Sequence, residues 1–139
     1  MDAKKFAIGT VAGGIAFFLL GWLLYGMLLM NYFEANAGSA TGVNRESMNM
    51  IALFLGNLAM AALLTLVFLR WAGVSTFMGG LKAGALIGLL IALGLDLTMF
   101  GTTNIMTLNG MVMDVVVYTI MSAVAGGVIG WLLGMGNKK

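Results

Sequence analysis

The sequence predicts an all-α integral membrane protein, a bundle of four transmembrane helices that forms one domain over residues 1–139. Two observations lead to this prediction. Of the 139 residues, 61% are apolar and only 9% are charged, whereas a soluble domain carries roughly 25% charged residues. The apolar residues also form four stretches, each long enough to supply the roughly 20 helical residues that cross a bilayer.

The four apolar stretches cover about residues 6–30, 48–69, 78–100 and 111–135. Leucine, alanine, methionine and glycine dominate them without strict alternation of apolar and polar residues, which favours helices over the strands of a barrel. The connection over 31–47 is the only long one, and its small, polar stretch 35–42 predicts a mobile segment. The other connections are short and predict that consecutive helices lie side by side and antiparallel.

The basic residues predict the orientation of the helices. An even number of helices places both termini on one side, and six of the seven lysines and arginines fall on that side: Lys4, Lys5, Arg70, Lys82, Lys138 and Lys139. Arg45 alone falls on the other side. By the positive-inside rule both termini face the cytoplasm. We therefore expect a multi-pass protein of the inner (cytoplasmic) membrane, surrounded by the lipid bilayer.

The composition also excludes several classes of function. The chain has no cysteine and no histidine, which excludes disulfides, thiolate metal sites and histidine-dependent catalysis. No pairing of a nucleophile with a base is visible, so we expect no catalytic residues, no metal, no cofactor and no enzymatic activity. The net charge of +2 is too small to indicate a nucleic-acid partner.

Glycine spacing predicts which helix faces pack closely. Small residues recur at every fourth position in two ridges, one in the third helix (Gly80, Gly84, Gly88 and Ala92) and one in the fourth (Ser122, Gly126, Gly130 and Gly134). Within lipid, such ridges let helix backbones approach each other closely. We expect packing inside the bundle, and the alternative is that one ridge faces a second copy or a partner subunit. Shorter small-residue pairs are Gly9 with Gly13, and Ala52 with Gly56.

Two acids are predicted to lie about one turn inside the outer face of the membrane. Asp114 falls in the first predicted turn of the fourth helix, where the helix dipole favours an anion, so it is most simply an end-of-helix acid. Asp96 falls near the C-terminal end of the third helix, where the dipole opposes an anion. It therefore needs a cation, a hydrogen-bond partner or a proton. A structural hydrogen bond, an interfacial position and a functional role are its alternatives.

The two ridges lead to these two acids. Asp96 follows Ala92 at the same four-residue spacing, and Asp114 precedes Tyr118 and Ser122 in the same way. If the ridges meet, the two carboxyl groups approach each other at similar depth and hold one shared proton or a bound cation.

Two other polar residues bear on this site. Arg45 is the competing partner for either acid, since it is the only basic residue predicted on the outer side. Asn57 falls near the middle of the second helix, where its amide needs a partner. We expect it to form an interhelical hydrogen bond, and the alternative is that it lines a polar pathway.

Three glycine-rich segments resemble a known family. Residues 21–26 read GWLLYG, residues 80–88 read GLKAGALIG, and residues 125–131 read AGGVIGW. Together they resemble an uncharacterised family of small bacterial four-helix membrane proteins. The resemblance implies the four-helix fold, and it implies no activity and no site residues. The small multidrug exporters have a carboxylate in their first helix, whereas residues 6–30 contain no acid, which disfavours their function.

Two functions remain open at this point. Glycine ridges, short loops and the lack of catalytic chemistry favour a non-enzymatic accessory subunit that packs against copies of itself or joins a larger membrane complex. The alternative is a small proton- or cation-linked transporter or channel that uses Asp96 with Asp114 and Asn57.

Overall fold

The computed structural model describes residues 2–135, and all regular elements in this range are helices. They are α1 (Ala3–Leu23), α2 (Met30–Ala35), α3 (Met50–Val67), α4 (Phe77–Thr102) and α5 (Leu108–Met135). A π-helical turn extends α1 over Leu24–Leu28, and another extends α3 over Phe68–Ala72. With these extensions, four helices of 26, 23, 26 and 28 residues are long and apolar enough to span a membrane. This confirms the prediction of four long apolar helices in a helical bundle.

Side-chain caps explain where the long helices begin. The Asp2 carboxylate accepts from the backbone N–H of Lys4 at 2.9 Å, and Asn49 Oδ1 accepts from Ala52 N at 3.0 Å. Thr76 Oγ1 does the same for Gly79 N at 2.9 Å. Each cap satisfies a backbone donor that the first helical turn leaves without a partner. Lys138 and Lys139, which contribute to the predicted orientation, lie outside the described residues.

The fifth helix is the central one. It contains twelve buried residues, whereas α1 and α4 contain four each and α3 contains three. It packs on α4 along one side and on α1 along another, while α3 packs chiefly on α1. In the described range, α3 and α4 share no comparable interface, although they follow each other in the chain. The prediction that all consecutive helices lie side by side is therefore wrong for this pair.

Small residues form the interface between α4 and α5, as the two ridges predict. The contacting pairs are Gly134 with Ser75, Gly130 with Thr76 and Gly80, Gly126 with Gly80 and Gly84, and Ser122 with Gly84 and Gly88. Residue numbers rise along α4 as they fall along α5. A Cβ atom placed on Gly84 would lie 3.1 Å from the Gly126 Cα, so the two backbones are in direct contact. Both ridges are thus used within the chain.

A second close approach holds α1 against its neighbours. A Cβ atom on Gly13 would lie 2.6 Å from the Ile129 Cδ1 atom of α5 and 3.0 Å from the Ala61 Cβ atom of α3. Around this point lies an apolar core contributed by α1, α3, α5 and the second π-helical turn. Its buried residues are Phe17, Ala61, Leu64, Phe68, Val117, Met121, Ala125, Ile129 and Leu133. By contrast, nothing lies within 4 Å of a Cβ atom on Gly56.

The two connections that the sequence places on the outer side meet at one end of the bundle, here called the loop end. Ala37 pairs with Met106 in an isolated β-bridge, and Gly38 N donates to Ile105 O at 2.8 Å. Thr107 Oγ1 donates to Asn36 O at 2.9 Å. The connection over 31–47 thus begins with the short helix α2. Residues 36–40, which belong to the stretch predicted to be mobile, then find backbone partners across the second connection.

Candidate functional site

The two predicted acids lie side by side at the loop end of the α4–α5 interface. The ladder of small residues brings Gly88 next to Ser122, and two further four-residue steps along each helix lead to Asp96 and Asp114. The two carboxyl groups are half-buried and close enough to interact with each other directly. The juxtaposition predicted from the ridges is thus present in the structure.

The first residue of the fifth helix changes the explanation of how the Asp114 carboxylate is stabilised. The fifth helix begins at Leu108 rather than near residue 111, and its first turn contains no acid. The interpretation of Asp114 as an end-of-helix acid is therefore wrong, because the dipole acts mainly within the first turn. Its partner comes instead from α1, since the Tyr25 hydroxyl donates to Asp114 Oδ1 at 2.6 Å.

Tyr25 reaches the acids from the π-helical turn that extends α1. The turn covers Leu24–Leu28, and such turns are rare and frequently lie at functional sites. The Tyr25 ring packs against Phe33 of α2 with 5.1 Å between ring centroids. Tyr118, half-buried on α5, stacks on Phe17 at 6.1 Å. The sequence prediction missed Tyr25, because nothing local indicates that α1 packs on α5 at this depth.

One oxygen of the pair has no partner. Asp96 Oδ2 is buried without a hydrogen-bond partner among the described residues. Ionised carboxylates only accept hydrogen bonds, and a buried charge without a partner is costly. A proton or a cation between two neighbouring carboxyl groups removes this cost.

Arg45 does not supply that positive charge, and the neighbouring threonine hydroxyls donate their hydrogen bonds away from the acids. Arg45 Nε donates to Ser47 O at 3.4 Å, and within residues 2–135 it forms no ion pair with either acid. The hydroxyls of Thr98, Thr102 and Thr103 donate to backbone carbonyls one turn earlier in their own helix. The described residues also contain no group of three or more acids suited to a metal ion.

Two hollows lie at the loop end, and one of them reaches Asp114. The first has a volume of about 390 Å³ and is lined by Tyr25, Met30, Phe33, Glu34, Ala37 and Asn44. The second has a volume of about 220 Å³, shares the Phe33, Ala37 and Asn44 walls, and reaches Asp114. The sequence gives no local signal for these hollows, because residues from four separate segments line them.

The remaining predicted polar residue lies apart from this cluster. Asn57 is half-buried on α3, a helix that shares no extensive interface with α4. Within the described part of the chain its amide has no hydrogen-bond partner. The predicted interhelical hydrogen bond is therefore not formed within residues 2–135.

Replacing Tyr25 with phenylalanine tests the link between α1 and the acid pair. We expect Tyr25→Phe to lower the free energy of unfolding by about 2 kcal/mol, since hydrogen bonds to charged groups contribute this much. Tyr32→Phe is the matched control, because its hydroxyl makes only a 3.4 Å contact with Asn109 O and should change stability by less than about 0.5 kcal/mol. Denaturant unfolding in micelles measures both. Equal stability of the two variants would contradict the assigned role of Tyr25.

No protein-family model, curated protein or solved structure matches the chain. The resemblance to an uncharacterised family of bacterial four-helix membrane proteins stays a prediction. The chemistry of the site is therefore inferred from the residues that form it.

Proposed function

We propose that the chain is a small, non-enzymatic membrane protein that moves a proton or a cation as a transporter or channel, using Asp96 and Asp114. The observation that carries the proposal is the convergence of Asp96, Asp114 and the Tyr25 hydroxyl from three helices. Intramembrane acids are costly and are commonly found on ion and proton pathways. A pair of acids without a basic partner takes up a proton or a cation to neutralise its charge.

The proposed orientation places the loop end outside the inner membrane of a bacterial cell. The basic residues support it, since six of seven fall toward the opposite end, where the positive-inside rule places the cytoplasm. Both termini are then cytoplasmic and the four helices alternate in direction. In this orientation the hollows open to the outside, and a cation reaches Asp114 from there.

The glycine ridges no longer favour the accessory-subunit hypothesis over this one. That hypothesis rested on the ridges together with the short loops and the lack of catalytic chemistry, and both ridges contact each other within the chain. Asn57 also has no assigned part in the cation pathway, because it shares no hydrogen bond with either acid in the described range. The acid pair is therefore the feature with the clearest chemical role.

Flux measurements in proteoliposomes test the proposal. We expect vesicles containing the wild-type chain to take up protons, or a monovalent cation exchanged for protons, faster than protein-free vesicles. The rate should respond to the pH on the side that faces the loop end. Wild-type vesicles that show no flux over a broad panel of protons and inorganic and organic cations would contradict the proposal.

A second candidate function rests on α3. Gly56 is open on the exposed side of this helix, and the neighbouring amide of Asn57 lacks a hydrogen-bond partner in residues 2–135. Small residues and amides are typical of helix–helix contacts in membranes. We propose, as this alternative, that α3 packs against a second copy or joins a larger complex.

Replacing Gly56 distinguishes this candidate. Gly56→Leu should reduce the mass of the complex purified in mild detergent to that of one chain, because leucine prevents close backbone approach. Gly94→Leu is the control, since Gly94 is equally open but lies on α4. The masses are measured by light scattering, and an unchanged mass in Gly56→Leu would show that this face of α3 is not an interface.

A further inference from the structure

The two hollows at the loop end adjoin each other, since Phe33, Ala37 and Asn44 line both of them. The two together are here called the vestibule. Their volumes of about 390 and 220 Å³ are far larger than a proton or a bare metal ion requires. Pockets of roughly 300–1,000 Å³ typically hold small organic ligands. The vestibule therefore has the size for a small molecule.

The charged residues that line the vestibule are all acidic. Glu34 lines the first hollow and Asp114 lines the second, and among residues 2–135 no lysine or arginine lines either one. The neighbouring Arg45 directs its Nε atom to Ser47 O at 3.4 Å. A ligand of the vestibule is therefore expected to be positively charged.

The walls between these acids are apolar and aromatic. Tyr25 and Phe33 line the first hollow and pack against each other at 5.1 Å. Met30 lies in the same wall, and Met106 lies in the wall of the second hollow. Aromatic rings attract cations such as ammonium groups, and apolar walls favour a ligand with a hydrocarbon body.

Magnesium and calcium ions suit this lining poorly. Magnesium and calcium require about six or more oxygen ligands, whereas the described residues include no group of three acids suited to a metal ion. An organic ammonium ion needs only one or two carboxylates, and its hydrocarbon part contacts the apolar and aromatic walls. The lining therefore favours an organic ammonium ion over magnesium or calcium.

We propose that the vestibule binds a small organic ammonium ion, whose charge lies between Glu34 and Asp114 and whose hydrocarbon part contacts Phe33 and Tyr25. This inference rests on the proposed function, since Asp114 belongs to both sites. It names the class of cation that reaches the acid pair from the loop end.

Calorimetric titration of the purified full chain in nonionic micelles tests this binding. The probes are choline and benzyltrimethylammonium, and the neutral isostere 3,3-dimethyl-1-butanol tests whether charge is required. We expect both cations to bind the wild-type chain and the alcohol to bind at least tenfold more weakly. Absence of binding by both cations, or equal binding of choline and the alcohol, would overturn the proposal.

Matched variants locate the bound cation. Glu34→Gln should weaken choline binding about threefold to fivefold, in line with an exposed charge pair, and Phe33→Leu about threefold, in line with a cation–π contact. Glu46→Gln is the control, because this exposed acid lines neither hollow and should leave affinity unchanged. Circular dichroism verifies that each variant keeps its helix content. Unchanged affinity in both Glu34→Gln and Phe33→Leu would show that choline binds elsewhere.

Failure of this inference differs from failure of the proposed function. If Asp96→Asn stops proton flux but neither ammonium ion binds, the vestibule proposal is wrong and the acid pair keeps its role. If choline binds in a manner that depends on Glu34 while Asp96→Asn leaves flux unchanged, the vestibule is a binding site and the proposed transport through the acid pair is wrong.

Discussion

Replacing Gly126 with alanine will lower the free energy of unfolding by about 3 kcal/mol, the upper part of the usual range for overpacking. The added Cβ atom would strike the Gly80 carbonyl and lie 2.9 Å from the Gly84 Cα atom. Both are backbone atoms, so no side chain can rotate away to make room. The two helices must separate, and α5 is the helix on which α4 depends for most of its packing.

Gly94→Ala on the same pair of helices is the control. No atom lies within 4 Å of a Cβ atom at this position. Alanine should therefore leave stability unchanged or raise it by up to about 1 kcal/mol, because it is a better helix former than glycine. Unfolding by denaturant in micelles compares the two variants. A Gly126→Ala chain as stable as Gly94→Ala would contradict the description of this interface as a direct backbone contact.

Replacing Asp96 with asparagine will reduce proton or cation flux to the level of protein-free vesicles. Asparagine has nearly the same size as aspartate, but its side-chain amide neither carries a charge nor takes up or releases a proton near neutral pH. The variant should therefore fold and keep the α4–α5 contact while losing the chemistry of the pair. The amide can also hydrogen-bond to Asp114, which preserves the geometry.

Two comparisons support the interpretation of this variant. Asp114→Asn should have the same effect on flux, since the pair acts as one unit. Glu46→Gln removes an exposed acid outside the pair and should leave flux unchanged. Wild-type flux in a well-folded Asp96→Asn chain would exclude the acid pair from the pathway.

The sequence predicts the parts of this fold that depend on composition and local spacing. Four long apolar stretches predict four helices, and small residues at every fourth position predict the faces of α4 and α5 that touch. The same spacing places Asp96 near Asp114, because each acid continues a ridge. These features were predictable because residues four positions apart in the sequence lie on the same face of a helix.

Features that depend on contacts between distant segments could not be predicted in the same way. The hydrogen bond from Tyr25 to Asp114 joins residues 89 positions apart, and it requires that α1 pack on α5. The start of α5 at Leu108 also depends on Thr107. Its hydroxyl donates to Asn36 O and accepts a hydrogen bond from Gly110 N. A prediction from the sequence does not include this contact, so it places residues 108–110 in a loop. As a result, it places Asp114 in the first helical turn, which is wrong.

The most direct test of the central claim is infrared spectroscopy of the acid pair. The claim is that Asp96 and Asp114 hold a proton between them when no other cation is bound. In sodium-free and ammonium-free buffer at neutral pH, the wild-type chain should show the carbonyl band of a protonated carboxylic acid, and this band should disappear in both Asp96→Asn and Asp114→Asn. Absence of the band in the wild-type chain, or its persistence in both variants, would contradict the claim.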